Sequence, residues 1–398
     1  MAGGAAALAL AGCGQAGGGP SGAGSAGGAD KSPAVIGAAV SATGSNGKTG
    51  EYQTEAYKLW EELVNQRGGL LGRPVKMIIY DDASDPTTGA KLYEKLITED
   101  KVDLVLGPYA SSVTMAASTV TEKYKFPMLT AGASASDIWK RNYRYVFGVY
   151  SIAESYFDGV IELALKQGYK TIAVINEDTV FPTATATGTA AYARSKGIQV
   201  VYQEKYPTKV TDVSSLLTKI KSANPDVVVG GSYQPDSVLI TRQAKELDVN
   251  PKMLAFSVGA AMPDFGQALG PDADYVLGPS MWEPSLKTPG NKEFVEAYQK
   301  KWNREPDYHS ATGFAGGQIL EAAVKKANSL DREKLRDALA SLETTTILPG
   351  KYKVDEAGMQ TAHTPVLIQW QGNEKPIVWP DQLATGKPKL PMPPWKSR

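Results

Sequence analysis

The sequence predicts an α/β protein of two lobes, each built on a doubly wound parallel sheet, with three crossovers between the lobes. Its 398 residues exceed what one hydrophobic core normally fills, so two domains are the default expectation. Short, nearly continuous apolar runs alternate with amphipathic stretches, a pattern typical of parallel strands buried between layers of helices. This alternation begins again near residue 171, which indicates a second sheet.

The first lobe is predicted to begin close to Pro33. Its strands are expected at Ala34–Val40, Val75–Tyr80, Asp103–Leu106 and Phe126–Thr130. Amphipathic stretches between these strands predict helices near Glu51–Asn65, Thr87–Glu99 and Val113–Lys123. The alternation favours a parallel sheet, because parallel neighbours need a crossover connection.

The second series and the last third of the chain complete the two lobes. Strands are predicted at Thr171–Ile175, Gln199–Tyr202, Asp226–Val229, Lys252–Phe256, Gly350–Val354 and Thr364–Trp370. Helices are predicted at Ala184–Lys196, Val213–Ser222, Pro235–Asp248, Lys292–Trp302, Ser310–Ala327 and Arg332–Leu342. We assign residues 34–149 and 281–344 to lobe 1, and residues 150–280 and 345–385 to lobe 2. Hinges are expected where the pattern changes lobe, near Gly148–Ser151, Gly278–Met281 and Glu343–Ile347.

The first 33 residues are predicted to be a targeting segment and a tether. Residues 1–12 contain a short apolar stretch expected to be a signal peptide, and Leu10–Cys13 resembles the bacterial lipobox, whose cysteine carries the lipid. The alternative is a low-complexity tail in which Cys13 falls by chance. Signals of this kind begin with Lys or Arg, and none precedes Lys31, so the true start is expected upstream of Met1. Residues 13–33 are rich in Gly, Ala and Ser, typical of a flexible linker.

Composition narrows the classes of function. Lys+Arg and Asp+Glu both total 42, so no net field draws the chain to nucleic acid or to an anionic membrane surface. One cysteine and two histidines, His309 and His363, are too few for a structural zinc site or a His-rich zinc centre. No apolar run beyond the N-terminus has the length of a membrane span. We expect a monomer without metal or cofactor.

One motif favours an enzyme. The segment Ala42–Thr49 reads Ala-Thr-Gly-Ser-Asn-Gly-Lys-Thr and nearly fits the phosphate loop, which would make Gly47, Lys48 and Thr49 the nucleotide-binding residues of a hydrolase. Ala stands where the first Gly is expected, and such residues are equally typical of an ordinary strand-to-helix turn. The predicted export also removes the chain from cytoplasmic ATP. We interpret the segment as a turn and keep the hydrolase as the alternative.

Four segments, in order, resemble the Leu/Ile/Val-binding family of periplasmic solute-binding proteins. They are Asn65–Gly72, Ile78–Pro86, Leu106–Ser112 and Gly230–Asp236. The resemblance implies the type I two-lobed periplasmic binding fold. It also implies an extracytoplasmic lipoprotein, not an enzyme, that binds a small solute for an ABC importer and delivers it to a membrane permease.

The resemblance implies a carboxylate cradle in the first lobe. In the family, a serine hydroxyl and backbone N–H groups at the start of a helix bind the ligand carboxylate, and the helix dipole favours an anion there. A second loop of small residues completes the cradle. Alternatively, these residues are a helix cap and an ordinary tight turn. The candidate residues of this lobe are Tyr109, Ser111, Ser112, Gly132, Ala133 and Ser134.

The second lobe contributes Phe181, Tyr233, Asp236 and Val258 by the same resemblance. Phe181 falls where the family usually has a pocket tyrosine, although aromatic residues at strand ends also pack in cores. Relatives that bind amino acids place an acid near Val258 to pair with the α-ammonium, and an ammonium buried without a partner is costly. Either Asp236 takes over that role or the ligand has no amine. The expected ligand is an amino acid, an aromatic or aliphatic carboxylate, or an amide.

The implied mechanism is capture by hinge closure. The ligand docks on lobe 1, lobe 2 closes over it, and the ABC permease recognises the closed form. The protein is expected on the periplasmic or cell-surface side of the bacterial cytoplasmic membrane, held only by the lipid on Cys13. Besides the hydrolase, an extracellular solute sensor is an alternative, because a sensor uses the same two-lobed clamp.

Overall fold

The computed structural model describes residues 32–398, and Cys13, the predicted signal peptide and nearly all of the predicted linker lie outside them. The strands of the first sheet are β1 (Ala34–Val40), β2 (Val75–Asp81), β3 (Leu104–Leu106), β4 (Met128–Thr130) and β5 (Val146–Gly148). They pair in parallel in the order β2-β1-β3-β4-β5. The short strands β3, β4 and β5 are entirely buried, as expected of a sheet covered on both faces.

Three helices follow the first strands: α1 (Gly47–Gln66), α2 (Pro86–Thr98) and α3 (Ser111–Tyr124). The start of α2 has clear local causes. The Asp85 carboxylate accepts a hydrogen bond from the Thr88 N–H at 2.7 Å, and Pro86 occupies the first turn. The helix α3 begins in the loop after β3, so its N-terminus lies at the carboxyl edge of the sheet, where α/β proteins bind ligands.

The second sheet has seven strands in the order β12-β11-β10-β9-β8-β6-β7. They are β6 (Thr171–Glu177), β7 (Gln199–Tyr206), β8 (Val227–Gly231), β9 (Met253–Phe256), β10 (Leu277–Ser280), β11 (Val366–Gln369) and β12 (Ile377–Trp379). The helices are α4 (Asp158–Lys166), α5 (Val180–Ser195), α6 (Ser214–Ala223), α7 (Gln234–Glu246) and α8 (Pro263–Leu269). The pairs β10–β11 and β11–β12 are antiparallel, so this sheet is mostly rather than wholly parallel.

The last helices return to the first sheet: α9 (Asn291–Trp302), α10 (Tyr308–Ala327) and α11 (Arg332–Ala340). The helix α10 packs on α1, where the Trp60 indole lies so close to Gly317 that an added Cβ would stand 2.3 Å from the ring. Only glycine fits this contact without displacement. The chain therefore passes between the sheets three times, after β5, β10 and α11, which confirms the predicted crossovers.

Five of the strands and α-helices were not predicted from the sequence, and one strand was predicted wrongly. The missed elements, β5, β10, β12, α4 and α8, span only three to nine residues, too few for a period to stand out. The segment Gly350–Val354 forms isolated bridges instead of a strand. The backbone of Gly350 and Gly358 has positive φ, so the chain turns there instead of running straight.

One histidine connects the three crossing segments. The Nδ1 atom of His363 accepts hydrogen bonds from the N–H and the hydroxyl of Ser151, at 3.3 and 2.8 Å. Because a backbone N–H can only donate, Nδ1 carries no proton, and Nε2–H donates to the Met281 carbonyl at 3.0 Å. Ser151 follows β5, Met281 follows β10 and His363 precedes β11. Burial of the ring lowers the pKa of His363 to about 4, which keeps it in this neutral form.

The third crossing lies later than the predicted hinge at Glu343–Ile347. The Gly148 N–H donates to the Gly358 carbonyl at 2.8 Å, and the Gln360 amide donates to the Val149 carbonyl at 3.0 Å. These bonds attach the segment before His363 to the first sheet. The lobe boundaries stay a proposal, and the contacts favour moving the last one from residue 345 to His363.

We predict that His363→Leu lowers the free energy of unfolding by about 1–3 kcal/mol, because Ser151 N–H and Met281 C=O lose their partner. His363→Gln should cost less, since the amide oxygen can accept from Ser151 and the amide nitrogen can donate to Met281. Urea unfolding at pH 7 measures both. Equal stability of the leucine variant and the wild type would contradict the role given to this ring.

Candidate ligand-binding cleft

A small cavity lies between the carboxyl edges of the two sheets. Its volume is about 10 Å³, enough for the centre of about one water molecule. The side chains around it are mostly aromatic and come from both sheets and from the start of α10. They are Tyr109, Gly132, Tyr150, Tyr156, Phe181, Tyr233, Val258, Tyr308 and His309.

Aromatic rings from the two sheets meet across this cavity. The ring centroids of Tyr109, from the first sheet, and Tyr233, from the second, are 6.3 Å apart. Phe181 lies 5.8 Å from Tyr233 and 5.1 Å from Tyr156, also between centroids. The rings are tilted or edge-to-face, the arrangements that aromatic pairs prefer.

The predicted residues divide into two equal groups. Tyr109, Gly132, Phe181, Tyr233 and Val258 line the cavity. The other five do not line it, and they are Ser111, Ser112, Ala133, Ser134 and Asp236.

Ser111 lies beside the cavity, at the first residue of α3. Its Oγ accepts hydrogen bonds from the N–H groups of Ser134 and Ala135, both at 3.3 Å. The Ser134 hydroxyl in turn donates to the Tyr156 hydroxyl at 3.2 Å. The two loops that were predicted to form one cradle are therefore joined by direct hydrogen bonds.

Glycine is required at position 132. A Cβ there would stand 2.6 Å from the Cα of Tyr109, so only glycine lets the two loops approach this closely. The neighbouring Ala133 is buried in the hydrophobic core of the first sheet, and Ser112 is half-buried in the first turn of α3.

Asp236 belongs to a buried carboxyl pair behind Tyr233. Its Oδ2 accepts a hydrogen bond from the Tyr206 hydroxyl at 3.3 Å. Burial, and after it the neighbouring Glu177 carboxyl, raises the pKa of Asp236 to about 7. The Glu177 carboxylate accepts from the Thr179 hydroxyl at 2.8 Å. Sequence reasoning missed Glu177, because its last position on β6 shows no pattern that links it to Asp236.

A second polar group reaches the cavity from α10. The Nδ1 atom of His309 is 2.7 Å from Oδ2 of Asp307, and its Nε2 is 3.3 Å from the Tyr109 hydroxyl. Burial would raise the pKa of Asp307, but His309 and the Ser310 N–H outweigh it and hold that pKa below its ordinary value. The Asp307 carboxylate is thus ionised, and it fixes the ring of His309.

Four cavity residues escaped the sequence analysis. Tyr150 and Tyr156 lie in the first crossing segment, and Tyr308 and His309 open α10. The Asp307 cap, which accepts from the Ser310 N–H at 3.0 Å, was a readable start signal for the helix. That signal places the residues on α10 but does not tell which cavity they reach.

The segment that resembles a phosphate loop, Ala42–Thr49, forms a turn that is held by hydrogen bonds to an aspartate. The Asp81 carboxylate accepts from the N–H groups of Ala42 and Thr43, at 2.9 and 3.2 Å, so two loop donors are already engaged. Lys48 points away from the loop, 3.2 Å from a Glu51 oxygen and 3.4 Å from a carboxylate oxygen of Asp264.

The contact of Lys48 with Asp264 joins the two halves of the cleft. Lys48 is on α1, beside the first sheet, and Asp264 is on α8, beside the second. The Tyr52 hydroxyl also donates to Asp264, at 2.8 Å. The motif that resembled a nucleotide site therefore contributes a bridge between the two halves.

Comparison with known proteins agrees with this architecture. The family model described as periplasmic binding protein matches residues 33–375. A Leu/Ile/Val-binding protein homolog 7 of Brucella suis is 29% identical over 382 residues, which cover 90% of this chain and 94% of the relative.

Solved structures have the same fold. The branched-chain amino acid transporter substrate-binding protein of Streptococcus pneumoniae, in complex with isoleucine, superposes with a TM-score of 0.77 at 21% identity over 86% of this chain and 97% of that one. A solute-binding protein of an R. palustris ABC transporter, in complex with benzoate, superposes with a TM-score of 0.77. The two are 21% identical, and the match covers 87% of this chain and 95% of that one.

We predict that Asp236 makes the protein less stable as the pH rises. An acid whose pKa is higher in the folded than in the unfolded protein stabilises the fold in its protonated form. This stabilisation is complete at pH values below the pKa of the unfolded state, near 4. That contribution, on the order of 1–3 kcal/mol, is lost as the pH rises through about 7. Urea unfolding from pH 5 to pH 8 should show this decline in the wild type and a flatter profile in Asp236→Asn. The exposed Asp178→Asn is the control, and identical profiles for Asp236→Asn and the wild type would contradict the prediction.

Proposed function

The chain belongs to the periplasmic binding protein family, as the four segments predicted, and we propose that it captures a small carboxylate in the interlobe cleft for an ABC importer. The observation that carries this proposal is the hydroxyl of Ser111. Both of its acceptor positions are used by the N–H groups of Ser134 and Ala135, and a hydroxyl keeps one hydrogen to donate. That hydrogen is available for a ligand oxygen.

The helix α3 strengthens the preference for an anion. The Thr114 N–H is the first that bonds within the helix, to the Ala110 carbonyl, so the preceding N–H groups of the first turn lack helical partners. They carry the positive end of the helix dipole. With the Ser111 hydroxyl they form a donor set that suits a carboxylate.

Hinge closure explains how the ligand becomes enclosed. A ligand body between the rings of Tyr109 and Tyr233 needs roughly 4.5 Å to each ring. The centroids of the two rings are now only 6.3 Å apart, which is too close for a ligand to lie between them. The cleft must therefore widen to admit a ligand and close upon it. Rotation about the crossing segments near His363 supplies that motion, and the bridge from Lys48 and Tyr52 to Asp264 favours the closed form.

The ligands of similar proteins support a carboxylate. The S. pneumoniae protein is in complex with isoleucine and the R. palustris protein with benzoate. These two ligands share the carboxylate and differ in the rest of the molecule, which agrees with an anion cradle as the common part of the site.

The remaining parts of the proposal follow from the family, which is extracytoplasmic. Among residues 32–398, no helix has the length and apolar character to span a membrane, and we propose a lipid on Cys13 as the anchor. The partner is the membrane permease of the importer. The protein acts as a monomer and catalyses no reaction, since Lys48 serves the bridge between the lobes and not a nucleotide.

We predict that Ser111→Ala weakens ligand binding about tenfold, the value of one hydrogen bond to a charged group. A thermal-shift panel of amino acids and aromatic and aliphatic acids identifies the carboxylate that raises the unfolding midpoint most, since a ligand stabilises by mass action. Calorimetry then gives its Kd for each variant. Thr119→Ala, exposed on the same helix, is the control. Unchanged affinity in Ser111→Ala would remove the main site assignment.

Variants of Lys48 distinguish two roles for this residue, the bridge to Asp264 and the binding of a nucleotide. Lys48→Met should weaken binding of the same carboxylate by up to about fivefold, the value of a partly exposed ion pair. Asp264→Asn should do the same, and the double variant should add little. The exposed Lys58→Met is the matched control. Tight ATP binding that Lys48→Met abolishes would instead favour the hydrolase.

A further inference from the structure

The residues that line the cavity offer no carboxylate to a ligand. Among the described residues that line it are five tyrosines, one phenylalanine, one histidine, one valine and one glycine, and none is a carboxylate. An amino acid would bring an ammonium group into these surroundings. Burying that charge without a carboxylate partner is costly, so the lining disfavours a ligand with a primary amine.

His309 presents a hydrogen-bonding nitrogen to the same cavity. The Asp307 carboxylate lies 2.7 Å from Nδ1, which fixes a proton on that nitrogen and orients the ring. The other ring nitrogen, Nε2, lies 3.3 Å from the Tyr109 hydroxyl. A ligand hydroxyl can both donate and accept a hydrogen bond, so one that enters beside Tyr109 can bond to Nε2 or to the tyrosine hydroxyl.

The rings around the cavity suit a flat aromatic body. Tyr233 lies 6.3 Å from Tyr109 across the cavity and packs against Phe181, with ring centroids 5.8 Å apart, so a flat ring can contact Tyr109 and Tyr233 once the lobes part. Aromatic pairs gain about 0.5–1.5 kcal/mol beyond the burial of their area. A quaternary ammonium would also suit aromatic rings, but it makes no hydrogen bond to the His309–Tyr109 pair.

From these observations we infer that the ligand is an aromatic carboxylate with a hydroxyl group on its ring and no amine. Its carboxylate binds at Ser111 and the start of α3, its ring lies between Tyr109 and Tyr233, and its hydroxyl meets the His309–Tyr109 pair. The inference rests on the proposed capture of a carboxylate in this cleft and names the class of ligand.

The test compares compounds that differ in one group. Calorimetry measures the Kd of 4-hydroxybenzoate, benzoate, L-tyrosine, L-leucine and glycine betaine. We expect 4-hydroxybenzoate to bind about tenfold more tightly than benzoate, the value of one hydrogen bond. L-Tyrosine, which has the same phenol and an added ammonium, should bind at least about 100-fold more weakly than 4-hydroxybenzoate.

Variants of His309 test the hydrogen bond from its ring to the ligand hydroxyl. In His309→Phe the ratio of the affinity for 4-hydroxybenzoate to the affinity for benzoate should fall close to one, while benzoate itself still binds. His309→Gln keeps an acceptor oxygen and should restore part of the preference. Because the measured quantity is a ratio of two affinities within one variant, a general loss of stability does not change it. The unfolding midpoint verifies that each variant is folded.

Several outcomes would overturn the inference. If L-tyrosine, L-leucine or glycine betaine binds as tightly as 4-hydroxybenzoate, the class is wrong. A loss of amino acid binding in Asp236→Asn would then assign the ammonium to the Glu177–Asp236 pair. The proposed function would still stand in that case, provided that Ser111→Ala weakens the ligand that does bind. An unchanged ratio in His309→Phe, or no binding of any aromatic acid, likewise overturns the inference.

Discussion

The hydrogen bonds of His363 to Ser151 and Met281 join the three segments that cross between the two sheets. Each of these residues lies in a different segment that crosses between the sheets, and one neutral imidazole connects all three. The proposed hinge rotation would take place about these joined segments.

The chemistry of the cleft follows from where parallel strands end. The loops after β3 and β4 bring Ser111 and Ser134 together at one edge, and their hydrogen bonds leave a hydroxyl hydrogen and helix N–H groups for an anion. His309, held by Asp307, reaches the cavity from the start of α10, and the wall from the second sheet is formed by Phe181, Tyr233 and Val258. The carboxyl pair of Glu177 and Asp236 lies behind that wall. The site is therefore polar at one end and mostly apolar at the other.

The alternation of strands and helices could be predicted from the sequence, and so could five residues that line the cavity, two from the first lobe and three from the second. The strand β1 was predicted residue for residue, because its apolar run is long and bounded. Tyr109 and Gly132 were found because they lie in loops directly after strands, in segments with a recognisable pattern. His309 and Tyr156 were not, since contacts between the start of α10, the first crossing and β3 depend on the packing of α10 against α1. The role of the phosphate-loop motif could not be predicted for the same reason. Asp81, which accepts hydrogen bonds from the N–H groups of Ala42 and Thr43, lies outside the motif in the sequence.

The central claim is that the lobes close over a carboxylate, and the distance between them tests it most directly. Spin labels at Lys58 on α1 and Gln267 on α8, both exposed, lie on helices joined by the bridge from Tyr52 to Asp264. Double electron–electron resonance, with Cys13 replaced by serine, measures the distance distribution without and with the carboxylate that stabilises the protein most. The account predicts a shorter and narrower distribution when that carboxylate is present. A distribution that does not change at saturating carboxylate would contradict capture by closure.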